Sequence, residues 1–329
     1  MKKYVRGALR AVCLLAVLFL YVSAQQQAEK LAACNRTALI LMERSPLTGS
    51  RVEEMQKAEE EQEQPREFTA WSQKNGVEIK NENLARSHTV AAVAVCGRSD
   101  LVLEGTARLD GDDREGCLID ENTAEKLFGN TNVTGLPVEI AGEEKIIRGI
   151  LYDAEDTVLY EADKEEEFPY LTVTTDGSTS YEKLRQDFMA RHALEGSFVR
   201  MDTLGRILGL LVLLIPLIVV CRAGGHCLRQ AWEYRREWAG ALLLAAAVLC
   251  MVCFCVLAVG QIQIPADMIP TKWSDSGFWS DFVEKERQSL LLLLLTEKQK
   301  PLQSFVEGFY LGAGESLTAV ILALKIKIL

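Results

Sequence analysis

Cys250-Met-Val-Cys253 followed by Cys255 has the spacing with which thiolates clamp a zinc ion. These cysteines sit inside a long charge-free run, however, where a thiol serves as a small apolar side chain. The three histidines, His88, His192 and His226, are scattered and form no HExxH metal motif. Gly312-Ala-Gly314 lacks the third glycine and the preceding strand of a dinucleotide-binding turn. The sequence contains no GxxxxGK followed by Ser or Thr, and no GxSxG nucleophile turn. No nucleophile stands beside a base. The sequence therefore predicts a protein that is not an enzyme, with no catalytic residue, cofactor site or metal site.

Two other constellations suit contact rather than chemistry. Arg222, Arg229, Arg235 and Arg236, with Trp232, Tyr234 and Trp238 among them, make a basic and aromatic segment suited to a protein partner or to anionic lipid. Gly308, Gly312 and Glu315 are four and three positions apart, so they share one helix face. A GxxxG face lets a second helix approach closely, and a carboxylate beside it is best turned toward protein or water. Glu59-Glu60-Glu61 reads as a solvated helix face, because no Asp/Asn-rich loop with calcium-ligand spacing accompanies it. Cys34, Cys96 and Cys117 form an odd set, compatible with a Cys96–Cys117 disulfide between adjacent strands or with buried free thiols. Asn35-Arg-Thr37 and Asn132-Val-Thr134 are glycosylation triplets, short enough to arise by chance.

The elements that carry these residues follow from charge distribution. The chain has 329 residues and net charge −10. Residues 25–203 hold 36 Asp/Glu against 20 Lys/Arg, a net −16, so the remainder carries +6 together with the long apolar runs. Hydrophobic residues at 49% exclude disorder, and the acidic block disfavours nucleic acid, whose phosphates need a basic face. A membrane protein with one sizeable polar domain remains.

Lys2, Lys3, Arg6 and Arg10 precede a charge-free run from Ala11 to Ala24, which places that end in the cytoplasm. The run is either an anchor extended by snorkelling arginines or a signal sequence ending at Val22-Ser23-Ala24. Both readings export residue 25 onward. Spans are expected near 204–221, 239–264 and 308–324, the second within a charge-free stretch from Ala239 to Ala266. The arginines between the first two of these place the Arg222–Trp238 linker in the cytoplasm. Leu290–Leu295 is too short to cross and reads as the apolar face of an interfacial helix, near Trp273, Phe278, Trp279 and Phe282.

Residues 25–203 read as an α+β exported domain inserted between transmembrane helices, about four of which are expected in total. Gln25–Arg66 reads as helix, ending near Pro65. Thr89–Val95, Leu101–Leu103 and Cys117–Ile119 read as strands. Asn122, three residues before Glu125, starts a short helix that Gly129 closes. Pro137–Ile140 and Lys145–Tyr152 form a hairpin about Ala141-Gly142. Phe168–Thr175 is a further strand, and Tyr181–Leu194 a helix returning to the membrane.

The stretch Cys117–Glu155, CLIDENTAEKLFGNTNVTGLPVEIAGEEKIIRGILYDAE, resembles the core of the MacB-like periplasmic domain. Its Leu-Phe-Gly helix end, the Val133–Gly135 loop and the Arg148–Leu151 strand carry the resemblance. Permeases of the MacB/FtsX type hold that domain between helix one and helices two to four, the order expected here. The resemblance implies a permease-like subunit of the cell membrane, multi-pass, with residues about 25–203 extracytoplasmic. It also implies a separate ABC ATPase as partner, touched by the Arg222–Trp238 linker, and a homodimer or second permease subunit. The small domain and polar last helix depart from the family. They leave open a stand-alone envelope scaffold that kept the fold without transport.

Overall fold

The computed structural model describes residues 2–33, 37–42, 45–109, 111, 113–175, 181–234, 238–261, 276–295 and 299–325. In chain order the elements are α1 (Lys2–Ala33), β1 (Thr37–Met42), β2 (Leu47–Thr48), α2 (Gly49–Glu60), β3 (Phe68–Asn81), β4 (Arg86–Cys96), β5 (Gly116–Asp120), α3 (Glu121–Phe128), β6 (Pro137–Ile140), β7 (Glu143–Leu151), β8 (Thr157–Glu161), β9 (Glu167–Phe168), β10 (Tyr170–Thr174), α4 (Tyr181–His192), β11 (Gly196–Arg200), α5 (Asp202–Glu233), α6 (Trp238–Gln261), α7 (Ser276–Leu295) and α8 (Lys300–Lys325). They divide into two compact units: Asn35–Met201 with Pro270–Phe305, and Met1–Cys34 with Asp202–Ile269 and Val306–Leu329.

The first unit is a mixed α/β domain on a nine-stranded sheet of order β11-β1-β10-β3-β4-β8-β5-β7-β6. β6 also pairs with β3, through Ile79 opposite Ile140 and Lys80 opposite Glu139. The strands from β3 round to β6 thus close a six-membered ring. β3 can serve both parts of the sheet because it is 14 residues long and its register with β4 shifts between Lys74 and Val77. An extra residue of this kind bends and twists a strand. Val90, Ala92, Cys117, Ile119, Val138, Ile140 and Val158 bury together with Ala124 and Leu127 of α3. The period of two on β4, β5 and β6 fits a ring with one apolar interior face. A second cluster joins Ala38, Ile40, Phe68, Ala70, Leu171 and Val173 of the sheet to Val52 and Met55 of α2 and Leu184 and Phe188 of α4. The outer edge at β11 meets α7, where the Arg200 N–H donates to Ser289 Oγ at 3.2 Å.

Several expectations hold here. Gly129 ends α3 with φ +73 and donates to the Glu125 carbonyl at 2.7 Å. Ala141 and Gly142 both have positive φ, the geometry of a two-residue hairpin turn. Others need correction. The helix expected over Gln25–Arg66 is the end of α1, strand β1 and helix α2. β1 lies between β10 and β11, and Ala38, Leu39 and Ile40, which point alternately to the two faces of the sheet, are all buried and show no alternation. A short apolar run of this kind does not distinguish strand from helix. Leu101–Leu103 is not a strand; a 3₁₀ turn spans Ser99–Leu101. The cap of α3 is Asp120, whose carboxylate accepts from the Thr123 N–H at 3.1 Å, and Asn122 lies inside the helix.

The second unit is helical. Ala11–Ala32, Asp202–Glu233, Trp238–Val256 and Lys300–Lys325 are four helices long and apolar enough to cross a membrane. α1 runs past the boundary expected at residue 24 as far as Ala33. α5 has 32 residues, about 48 Å at 1.5 Å per residue, against a hydrocarbon core of about 30 Å. It therefore outlasts the expected 204–221 span by several turns. Val17 of α1, Ile215 of α5, and Ala319 and Ala323 of α8 bury one another.

Candidate functional site

The buried positions of α8 toward its C-terminal half are Gly312, Ser316, Ala319 and Ala323. Their spacings of four, three and four form one stripe of small side chains, which lets helix backbones approach. A Cβ at Gly312 would stand 2.7 Å from Leu208 Cδ2 of α5 and 3.2 Å from Gln27 Cβ of α1. At Gly308 the nearest atom would be Gln27 Oε1, at 3.5 Å. Glu315 Oε1 accepts a hydrogen bond from Ser23 Oγ of α1 at 2.8 Å. Glu315 Oε2 and Ser316 Oγ are buried without a hydrogen-bond partner among the described residues. The structure thus brings Gly308, Gly312 and Glu315 together against α1 and α5 of their own chain. Ser23 and Gln27, four apart on α1, are the partners that sequence reasoning missed. A polar pair at helical spacing at the end of an apolar run was the signal available for them.

The basic segment is helical from Arg222 to Glu233. Arg222, Arg229 and Trp232 all lie on α5; Arg235 and Arg236 lie outside the described residues. Arg222 Nη1 donates to the carbonyl of Ala323 at 3.2 Å and to that of Leu324. It satisfies carbonyls that the end of α8 leaves without helical partners. Arg229 is exposed, and Trp232 is 73% exposed. Cys250, Cys253 and Cys255 are exposed on α6. Among the described residues no group of three or more His, Cys, Asp or Glu side chains is placed to hold a metal ion.

The α/β domain contains two charge clusters with no local sequence signature. Glu59 is 2% exposed, not solvated as expected. Its Oε1 accepts from Arg191 Nη1 at 2.6 Å and sits 2.8 Å from His192 Nε2, while Oε2 accepts from the Arg66 N–H at 2.9 Å. Burial pushes the Glu59 carboxyl up, but these hydrogen bonds outweigh it and hold the group below the usual carboxylate range. Asp156, in the left-handed region at φ +48, gathers His88 Nε2 at 2.7 Å, Asn122 Nδ2 at 2.9 Å and Lys126 Nζ at 2.9 Å on one oxygen. Partial burial opposes its ionisation, yet the His88 and Lys126 contacts prevail and lower its pKa. Both clusters tie a helix to the sheet or to another helix.

Cys96 and Cys117 are free and buried, the second of the two alternatives the sequence left open. β8 lies between β4 and β5, so the two cysteines belong to strands that are not neighbours. Two inter-strand steps are about 9.6 Å, beyond the roughly 7 Å Cα separation a disulfide spans. Burial pushes each thiol up to about 12. Cys34 lies outside the described residues.

No protein-family model matches the chain, and no curated protein sequence matches it. Among solved structures it is similar to the periplasmic region of MacB from Actinobacillus actinomycetemcomitans, at 13% identity and a TM-score of 0.41 over 51% of this chain and 90% of that one. It is also similar to the extracellular domain of a noncanonic ABC-type transporter, YknZ, from Gram-positive bacteria, at 15% identity and a TM-score of 0.36 over 49% of this chain and 97% of that one.

Proposed function

We propose that this chain is a non-enzymatic, permease-like membrane subunit of the MacB/FtsX type that couples its α/β domain to a separate ABC ATPase. The observation that carries the reading is the order of elements: one membrane-length helix, the α/β domain, then three more such helices. The arginines between α5 and α6 put that end in the cytoplasm and the domain outside. The packing of Val17 with Ile215 and Ala319 supports α1 as a working member of the bundle. In this reading the cytoplasmic end of α5, with Arg235 and Arg236 next in sequence, meets the ATPase, and movement there is relayed to the domain.

One observation favours the scaffold reading. The Gly308–Gly312–Glu315 face is occupied by α1 and α5 of the same chain, which leaves it less available to another subunit. Purification of the tagged full chain from its native membrane in mild detergent separates the two. The permease reading expects an ABC ATPase in fixed ratio, with ATP hydrolysis altered by the chain. Recovery of other envelope proteins and never an ATPase establishes the scaffold instead.

A further inference from the structure

We propose that α8 is the lever that joins the membrane helices to the α/β domain, and that Gln73, Tyr170 and Asp153 are the clamp by which the domain grips it. The lever rests on the permease reading above for the source of its movement; the clamp does not.

The division of the chain singles out α8. Among the described elements it is the one that belongs to both units: Lys300–Phe305 lie with the α/β domain, and the helix from Val306 onward lies with the membrane helices. By contrast, α1 stops at Ala33 and α5 starts at Asp202, each at the division. α8 runs unbroken from Lys300 to Lys325, and no proline follows Pro301. An α-helix keeps its length because each N–H bonds four residues back, and sharp kinks need a proline or a similar interruption. A displacement of its membrane part therefore arrives at its first turn.

That first turn is held by three parts of the domain. The Lys300 N–H donates to Gln73 Oε1 of β3 at 2.6 Å. Gln299 Nε2 donates to Tyr170 Oη of β10 at 3.2 Å, and Tyr170 stacks on the buried Trp71 with ring centroids 4.3 Å apart. Ser304 Oγ donates to the carbonyl of Asp153, in the turn after β7, at 2.7 Å. Leu302 and Phe305, three apart on one face, are both buried. A helix start leaves its first N–H groups without helical partners. Here Pro301 has none to satisfy, and the Leu302 and Gln303 N–H groups donate to the Gln299 carbonyl at 2.9 and 2.7 Å. The Lys300 N–H takes its acceptor from the domain. Withdrawing α8 would strand that donor and expose two apolar side chains.

The grip falls on the strand that both parts of the sheet share. Gln73 pairs with Val93 of β4 just before the register shift between Lys74 and Val77. On one side of it β3 pairs with β10, and on the other with β6. Movement delivered at Gln73 thus reaches the closed ring and the outer strands together.

The test reads hydrogen exchange by mass spectrometry in the full chain, purified with its ATPase and held in nanodiscs. Gln73→Leu should speed exchange in Lys300–Phe305 about fivefold, the equivalent of one lost helix cap. Gln73→Glu keeps an acceptor at a helix N-terminus and should match the wild type. Glu307→Pro, at an exposed position, interrupts α8 beyond the clamp. A non-hydrolysable ATP analogue is expected to shift exchange of Phe68–Asn81 in the wild type, but not in Gln73→Leu or Glu307→Pro, with the ATPase recovered in equal ratio. Unchanged first-turn exchange in Gln73→Leu overturns the clamp. A nucleotide-dependent shift that persists in Glu307→Pro overturns the lever, because the domain then moves through another connection. If no ATPase is recovered, the permease reading fails by itself, and Gly312→Ala supplies the push instead, since its Cβ would meet Leu208 Cδ2 at 2.7 Å. That change should alter exchange of Lys300–Phe305 in the otherwise wild-type chain and not beside Glu307→Pro; no change in either chain overturns the lever.

Discussion

Ser23 on α1 donates a hydrogen bond to Glu315 on α8 across 2.8 Å, joining the first and last membrane-length helices of the chain. A carboxyl group at membrane depth is costly when bare, and the second oxygen of Glu315 is already buried without a partner. The Ser23 hydroxyl therefore supplies what lipid cannot. A double-mutant cycle of Ser23→Ala and Glu315→Gln, read from thermal unfolding in detergent, should give a coupling energy of about 0.6–2 kcal/mol. Strict additivity of the two changes would show that the contact contributes nothing.

Gly312 leaves no free room for a larger side chain. With Leu208 Cδ2 only 2.7 Å from the position of a Cβ, and Gln27 Cβ 3.2 Å away, even alanine forces a shift. Gly312→Leu is expected to destabilise the helical unit by at least about 2 kcal/mol, as overpacking does. Because the crowding is within one chain, the loss should appear in dilute detergent with no second copy present. Leu311, 59% exposed, should accept alanine with a change below about 0.5 kcal/mol. An unchanged melting point for Gly312→Leu would mean that α1, α5 and α8 do not pack as described.

Acid should weaken the α/β domain through Glu59. Its folded carboxyl is held below the ordinary value, so the unfolded chain binds its proton more readily. The stability it contributes is fully present above the unfolded carboxylate range, near pH 4–5, and is lost as pH falls through the folded value. Asp156 acts in the same direction. Urea midpoints of the full chain, followed by tryptophan fluorescence from pH 7 to 3, should fall more steeply for the wild type than for Glu59→Gln. Glu59→Gln itself should cost about 1–3 kcal/mol at pH 7, where it leaves Arg191 and His192 without a charged acceptor. Parallel pH curves for the two proteins would sink the assignment.

The buried thiols should be inert. With Cys96 and Cys117 both pushed up to about 12, neither carries appreciable thiolate at pH 8. Maleimide should modify them only after denaturation, and peptide mapping without reductant should find no Cys96–Cys117 bridge. Rapid labelling of either residue in the folded chain would contradict their burial.

The amino-acid sequence by itself determined the membrane helices, because hydropathy over about 20 residues is a sum of local composition that no later contact reverses. It likewise determined the β6–β7 hairpin and the end of α3, where Gly142 and Gly129 can take left-handed backbone without the penalty a Cβ brings. The α+β class and the position of Gly308, Gly312 and Glu315 on one helix face belong with these. Tertiary structure alone decided the rest. β1 was concealed because a strand buried on both faces loses its period of two. β8 enters between β4 and β5 and so parts Cys96 from Cys117, although those strands are neighbours in the chain. Glu59 looks like its solvated neighbours until Arg191 and His192, some 130 positions away, close over it. Ser23 reads as part of a cleavage motif until α8 returns beside it. Each of these depends on which distant segment arrives as a neighbour, and a side chain's burial and hydrogen-bond partners are properties of that neighbour as much as of the residue.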